Sequence, residues 1–214
     1  MQKYFIDNKS DKLILFFTGW GCDENQFTNL TTKNDLLLLY DYQNLDLKFD
    51  FSKYSEINIL AYSAGVFVSS LFNKDIPNLK QKIAINGNPY LFDEELGVSK
   101  ATLKDFKEIN LDNYLDFRRK YMVETDEEYE KYNHLQSLRT LESCQNELEA
   151  LENLYVKEKN NINSNFDKAI IAENDVIFKL KNQKEFYKDK IRIFKNSKHH
   201  IFFKFNSFEE ILDF

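Results

Sequence analysis

ILAYSAGVF, residues 59–67, is the stretch on which the reading of this sequence turns. An apolar run, Ile57 to Leu60, enters it. Ala61-Tyr62-Ser63-Ala64-Gly65 sits in the middle. A second apolar set with helical spacing, Val66, Val68, Leu71 and Phe72, leaves it. A serine between small residues, where a buried strand gives way to a helix, has a steric explanation. A side chain on a sharp strand-to-helix turn sits on strained backbone, and its neighbours two before and two after must be small to clear it. Ala61 and Gly65 hold those places. An ordinary tight turn uses the same residue types, so the surroundings have to decide.

Upstream, residues 35–41 (DLLLLYD) and 56–62 (EINILAY) are continuous apolar runs of strand length. Strands buried on both faces look like this, and they belong to parallel sheets covered by helices. Residues 3–7 and 12–18, joined by Asn8-Lys9-Ser10-Asp11, read as a β-hairpin. Residues 64–74 have the spacing of a helix and 81–87 that of another buried strand, a right-handed parallel crossover. The pattern changes after Pro89. Residues 98–160 contain no Gly or Pro, and Leu135, Leu138, Leu141, Leu148, Leu151 and Leu154 recur at helical spacing among Glu and Lys. Strand and helix patterns return at 167–173, 180–189 and 190–195. Residues 206–214 open with the capping pattern Ser207-x-x-Glu210. The expected architecture is a single α/β domain over 1–214. It has a mostly parallel twisted sheet, helices on both faces and an α-helical cap inserted at about residues 95–163.

At 214 residues the chain is long enough for one well-buried core. A net charge of −6 gives no general case for nucleic acid, although 168–204 carries ten Lys/Arg against four Asp/Glu. Cys22 and Cys144 have neither metal-ligand spacing nor the pattern of a secreted disulfide framework. The first residues are not a signal peptide, and no run has the length of a membrane span. The expectation is a cytoplasmic monomer without membrane partners.

Ser63 needs a base to take its proton. Of three histidines, His134 lies among polar residues of the helical insertion and reads as a surface side chain. His199 and His200 follow a strand and precede the last helix, at the sheet edge that collects active-site loops. Only one of this adjacent pair can face Ser63. A carboxylate must hold the imidazole's tautomer, and Asp175 leaves the strand at 167–173. The order Ser63, Asp175, His is that of α/β-hydrolases. An oxyanion needs two donors. The N–H of Ala64 is one. The loop Thr18-Gly19-Trp20-Gly21-Cys22 supplies the N–H of Trp20 as the other, with its indole free to wall an acyl pocket. Cys22 has no base-bearing motif of its own and reads as a small loop residue.

LILFFTGWG, LLLLYDYQNLDLKFDFSKY, LAYSAGV, AINGNP, NDVIF with NQKEFY, and HHIFFKF together resemble the BioG-type pimeloyl-acyl-carrier-protein methyl ester esterases of biotin synthesis, within the α/β-hydrolases. The resemblance implies a serine esterase that frees the pimeloyl carboxylate while the acyl chain stays on its carrier. It implies Ser63 as nucleophile, Asp175 as acid, Trp20 and Ala64 at the oxyanion and, by register of the His-aromatic-aliphatic-Phe motif, His199 as base. No cofactor is implied. The partner is an acidic acyl carrier protein, for which a basic contact is expected. Arg118 and Arg119, with Arg139, are the candidates for the carrier or for the phosphate of its prosthetic arm. Leu115 and Phe117 are candidates to line an acyl tunnel. A general short-chain carboxylesterase or thioesterase, and a non-catalytic binding module on the same fold, are the competing readings.

Overall fold

The computed structural model describes residues 1–72 and 76–213. Among these, the uninterrupted apolar runs become the central strands. β1 (Gln2–Ile6), β2 (Lys12–Phe17), β3 (Asp35–Tyr40), β4 (Glu56–Tyr62), β5 (Leu79–Ile85), β6 (Lys168–Ala172) and β7 (Ile191–Phe194) form one sheet in the order β1-β3-β2-β4-β5-β6-β7. Only β1 runs antiparallel to its neighbour. The runs are apolar throughout because both faces are covered. Leu13, Leu15 and Phe17 of β2 pack on one side with Val66 and Phe67 of α1 (Ala64–Ser70). Ile14 and Phe16 pack on the other with Phe208 and Ile211 of α7 (Phe208–Leu212).

The first two strands do not form a hairpin. β1 pairs with β3, and β3 lies between β1 and β2. The reason is burial. β2 and β3 are apolar on both faces and take interior places, whereas β1 is mostly exposed and suits an edge. The connecting loop is held across the start of β3 by the buried Asp35 carboxylate. Its Oδ1 accepts from the Asn8 N–H (2.9 Å) and the Ser10 N–H (3.0 Å).

Four helices lie in the chain between β5 and β6: α2 (Lys100–Lys107), α3 (Tyr114–Tyr121), α4 (Asp126–His134) and α5 (Leu141–Glu158). The leucine series does not run along one helix. Leu135 caps α4, Leu138 is exposed in the connection, and Thr140 starts α5 by accepting the Ser143 N–H. That connection is tied down by Asp23, which accepts the Leu138 N–H at 2.6 Å. α6 (Leu180–Tyr187) crosses between β6 and β7. The helix expected at 64–74 ends at Ser70; Asn73 and Lys74 of that span, like Phe214 of the last one, lie outside the described residues. Ser207 caps α7 by accepting the Glu210 N–H, as its motif predicts.

The parallel strands all point their carboxyl ends to one edge. Thr18 follows β2, Ser63 follows β4, Asn86 follows β5, Asp175 follows β6 and His199 follows β7. This edge is where loops of an α/β sheet meet.

Candidate active site

Ser63 stands between the last residue of β4 and the first of α1, with φ 54° and ψ −123°. A non-glycine residue held there stores about 1–3 kcal/mol of backbone strain. The surroundings impose it. The Ser63 N–H still belongs to the sheet, donating to the Ile85 carbonyl at 3.0 Å, while its own carbonyl already accepts the Val66 N–H at 3.0 Å. The close packing also explains the small neighbours. A Cβ on Gly65 would lie 2.3 Å from the Phe17 carbonyl oxygen, and one on Gly87 would lie 2.6 Å from the Ser63 carbonyl oxygen. Both contacts are with backbone, so neither can move aside cheaply.

The strand-end residues meet. Ser63 Oγ is 2.9 Å from His199 Nε2, and His199 Nδ1 is 2.9 Å from Asp175 Oδ2. The Asp175 carboxylate only accepts, so Nδ1 carries the hydrogen and Nε2 is left to accept from the Ser63 hydroxyl. The other Asp175 oxygen accepts the N–H groups of Ile177 (2.8 Å) and Phe178 (3.1 Å), which fixes the carboxylate's plane. The Phe178 ring stacks on His199 at 6.1 Å. His200 points the other way, into Phe27, Tyr132, Phe202 and Phe203. Neither of its ring nitrogens has a partner among the described residues. Burial, and then the neighbouring His199, lowers its pKa to about 3, so it stays neutral.

Asn86 was missed by the sequence reading. It is fully buried with φ 43°; its Nδ2 donates to the His199 carbonyl at 2.6 Å and its Oδ1 accepts the Ala172 N–H at 2.7 Å. One amide therefore ties the loop of His199 to the strand that leads to Asp175. Asn86-Gly87 looks like a common turn pair, which hides this role.

The Gly19-Trp20-Gly21 loop packs directly on the serine. A Cβ on Gly19 would come within 3.1 Å of the Ser63 Cβ. Gly21 takes φ 72°, a left-handed turn that reverses the chain just after Trp20. The backbone N–H groups of Trp20 and Ala64 donate to no backbone carbonyl among the described residues. Cys22 is buried and burial pushes its thiol pKa up, which leaves no thiolate.

A cavity of about 770 Å³ opens over Ser63 and His199, roofed by the four helices. Its walls are largely apolar and include Trp20, Phe106, Phe117, Leu148 and Leu151. Leu115 is exposed and does not line it. The three arginines end in different places. Arg118 is buried at the cavity wall, stacked 4.1 Å over Tyr114, and among the described residues donates only to neutral oxygens, Asn133 Oδ1 (3.0 Å) and Gln136 Oε1 (2.7 Å). Arg119 is exposed, paired with Asp126 at 2.6 Å and stacked on Tyr129. Arg139 is committed to Glu147 and to Asp41 (2.8 Å) in a buried network. Among the described residues no cluster of side chains is arranged to hold a metal ion, and no helix is long and apolar enough to cross a membrane.

A doubly covered, mostly parallel sheet with this strand–serine–helix turn defines an α/β-hydrolase. The chain belongs to the family described as pimeloyl-ACP methyl esterase BioG, whose profile matches residues 1–211. It is similar to a Haemophilus influenzae crystal structure described as BioG, with a TM-score of 0.87 and 29% identity over 100% of both chains. A curated Haemophilus influenzae protein, called only uncharacterized, is 30% identical over 217 residues, covering 100% of both. A Bacteroides fragilis malonyl-[acyl-carrier protein] O-methyltransferase is 36% identical over 182 residues, 80% of this chain. The chain spans about a third of that relative, 36% of its length. A Clostridium acetobutylicum lipase-esterase related protein shares the fold, with a TM-score of 0.65 at 21% identity over 92% of each chain.

Proposed function

We propose that the chain is a serine esterase that opens the methyl ester of a pimeloyl group while the other end of that group remains on acyl carrier protein. The observation that carries this is the unbroken line of 2.9 Å contacts from Ser63 to His199 to Asp175 beneath an apolar cavity, in a chain of the BioG family. His199 takes the proton as Ser63 Oγ bonds to the ester carbon. The carbonyl oxygen becomes an oxyanion held by the N–H groups of Trp20 and Ala64, each worth ~3 kcal/mol of barrier. When the tetrahedral centre collapses, the bond to methoxide breaks and His199 returns the proton, so methanol leaves. Water repeats the sequence on the acyl-enzyme, giving the free carboxylate and restoring Ser63. The Asp175 carboxylate steadies the imidazolium that forms in each half.

The helices of residues 95–163 act as the cap. Their apolar lining takes the hydrocarbon chain, and of the three arginines Arg118 is our candidate to meet the prosthetic arm. Its charge has only neutral partners among the described residues, whereas Arg119 and Arg139 already face carboxylates. The Bacteroides relative's name fits the same bond: a methyl ester formed on a carrier-linked acid is what such a site opens.

The test is fluorophosphonate labelling of the full chain, followed by hydrolysis of synthetic pimeloyl-carrier methyl ester and of free dimethyl pimelate. Labelling of Ser63 and a clear preference for the carrier-linked ester are expected. Equal kcat/KM on both esters would favour a general carboxylesterase, and absence of labelling would favour a binding module.

A further inference from the structure

Two anchors run from α5 into the loop that carries Trp20. Glu147 is completely buried. Its Oε2 accepts the N–H of Gly21, the residue after Trp20, at 3.0 Å. Its Oε1 accepts the N–H of Tyr42 at 2.9 Å, and the Tyr42 hydroxyl donates on to the Thr18 carbonyl at 3.0 Å, at the other end of the same loop. The second anchor is the Trp20 indole, whose Nε1–H donates to the Cys144 carbonyl of α5 at 2.6 Å. Its ring stacks on Phe106 of α2 with centroids 5.0 Å apart. Arg139 closes the network by joining Glu147 to Asp41 and to Ser143.

A buried ion pair is a poor source of stability, because apolar side chains of the same volume do as well or better. What a carboxylate adds is two acceptor oxygens at a fixed spacing; here one holds the loop at Gly21 and the other holds Tyr42, whose hydroxyl reaches the loop's start at Thr18. That loop's task is geometric. An oxyanion donor lowers the barrier only if it already stands where charge develops.

We propose that Glu147 is a positioning residue for the esterase reaction. Through Gly21 and Tyr42 it holds residues 18–21 so that the Trp20 N–H meets the oxyanion, which makes α5 of the cap part of the acyl-transfer machinery. The inference rests on the serine-esterase reading, with Trp20 as the second donor.

Glu147→Gln in the full chain tests it. Gly21 and Tyr42 bond to different carboxylate oxygens, and a carboxamide puts an NH2 donor against one of these two N–H groups. With active sites counted by complete fluorophosphonate labelling, kcat on pimeloyl-carrier methyl ester should fall about 30- to 100-fold, the cost of a misplacement near 1 Å. KM should stay within about threefold, because the cavity wall is kept. A boronic acid that forms a tetrahedral adduct on Ser63 should lose affinity, while the unreactive methyl ether analogue binds as before. A lower melting temperature with kcat per labelled site unchanged would overturn the proposal. If Glu147→Gln does not fold, Tyr42→Phe removes only the hydroxyl by which this network reaches the Thr18 carbonyl and keeps the ring, the Glu147 contacts and the Trp20 backbone donor. It should lower kcat about fivefold or more, and an unchanged kcat there would overturn the proposal as well. A wild-type chain that never labels at Ser63 would instead defeat the esterase reading itself.

Discussion

The carboxyl edge of the sheet and the helical cap wall the same cavity, but they hold their polar groups by different means. At the sheet edge, position comes from backbone. Ser63 and Asn86 sit at positive φ, Gly65 and Gly87 admit carbonyls where a Cβ would collide, and two backbone N–H groups fix the Asp175 carboxylate. In the cap, position comes from side chains. Arg118 lies on Tyr114, and Arg139 grips Glu147. Backbone geometry leaves little room for substitution, whereas side-chain contacts can be exchanged by degrees. The sheet edge should therefore control kcat and the cap should control KM, with Glu147 as the cap residue that crosses the divide.

The largest effect expected is at His199. His199→Ala should lower kcat about 10⁴-fold or more, since removing one member of such a unit disables the rest. Circular dichroism and melting should show a folded protein. Substantial activity left in that variant would break the division at its root. Asn86→Ala comes next. It leaves the His199 carbonyl and the Ala172 N–H without their amide and places Ala at φ 43°. The expected result is a kcat loss of about 100-fold with KM little changed, and a stability loss of about 2 kcal/mol read by denaturant melts. A kcat at wild-type level would mean the His199 loop is held by other contacts.

How far the sequence could be read follows the same line. The buried strands, the serine turn and the order of Ser63, Asp175 and His199 were legible because each depends on local sterics or on which residues close a strand. β1's partner was not, since Asn8 to Asp11 look like a hairpin loop and Asp35, which pulls them across β3, is distant in the chain. That residues 98–160 form several amphipathic helices was legible, but the position of the break between α4 and α5 was not, because leucines keep helical spacing across Leu135 and Leu138. Arg139 looked like a free basic residue because its partners, Asp41 and Glu147, are not marked by any motif. Side-chain pairing across elements is settled only by packing.

Arg118 gives the cap's own test. Arg118→Gln removes the charge and the planar fork but keeps much of the stem over Tyr114. The expected outcome is a KM for the carrier-linked ester raised about 10-fold, with kcat within about threefold and no change on free dimethyl pimelate, the effect of losing one charge-assisted contact. An equal fall on both esters would place Arg118 in the cavity's packing and take the prosthetic arm elsewhere.

The smallest effect separates two adjacent residues of one type. His199 has both nitrogens engaged, and His200 has neither among the described residues. With its pKa lowered to about 3 by burial, His200 stays neutral in the folded chain where the unfolded chain, at about 6.5, takes up a proton. The unfolded state then binds more protons, so stability falls as pH drops from about 6.5 towards 3, by up to about 1.4 kcal/mol per pH unit. His200→Phe removes that slope and replaces two unpartnered nitrogens with carbon inside an aromatic cluster. Its melting temperature at neutral pH should rise by about 2–4 °C, for roughly 1 kcal/mol gained, and the gain should widen on acidification while kcat holds. A variant that loses kcat as His199→Ala does would show that the two imidazoles share the proton, and the boundary between the sheet edge's chemistry and its packing would have to be redrawn between neighbouring residues.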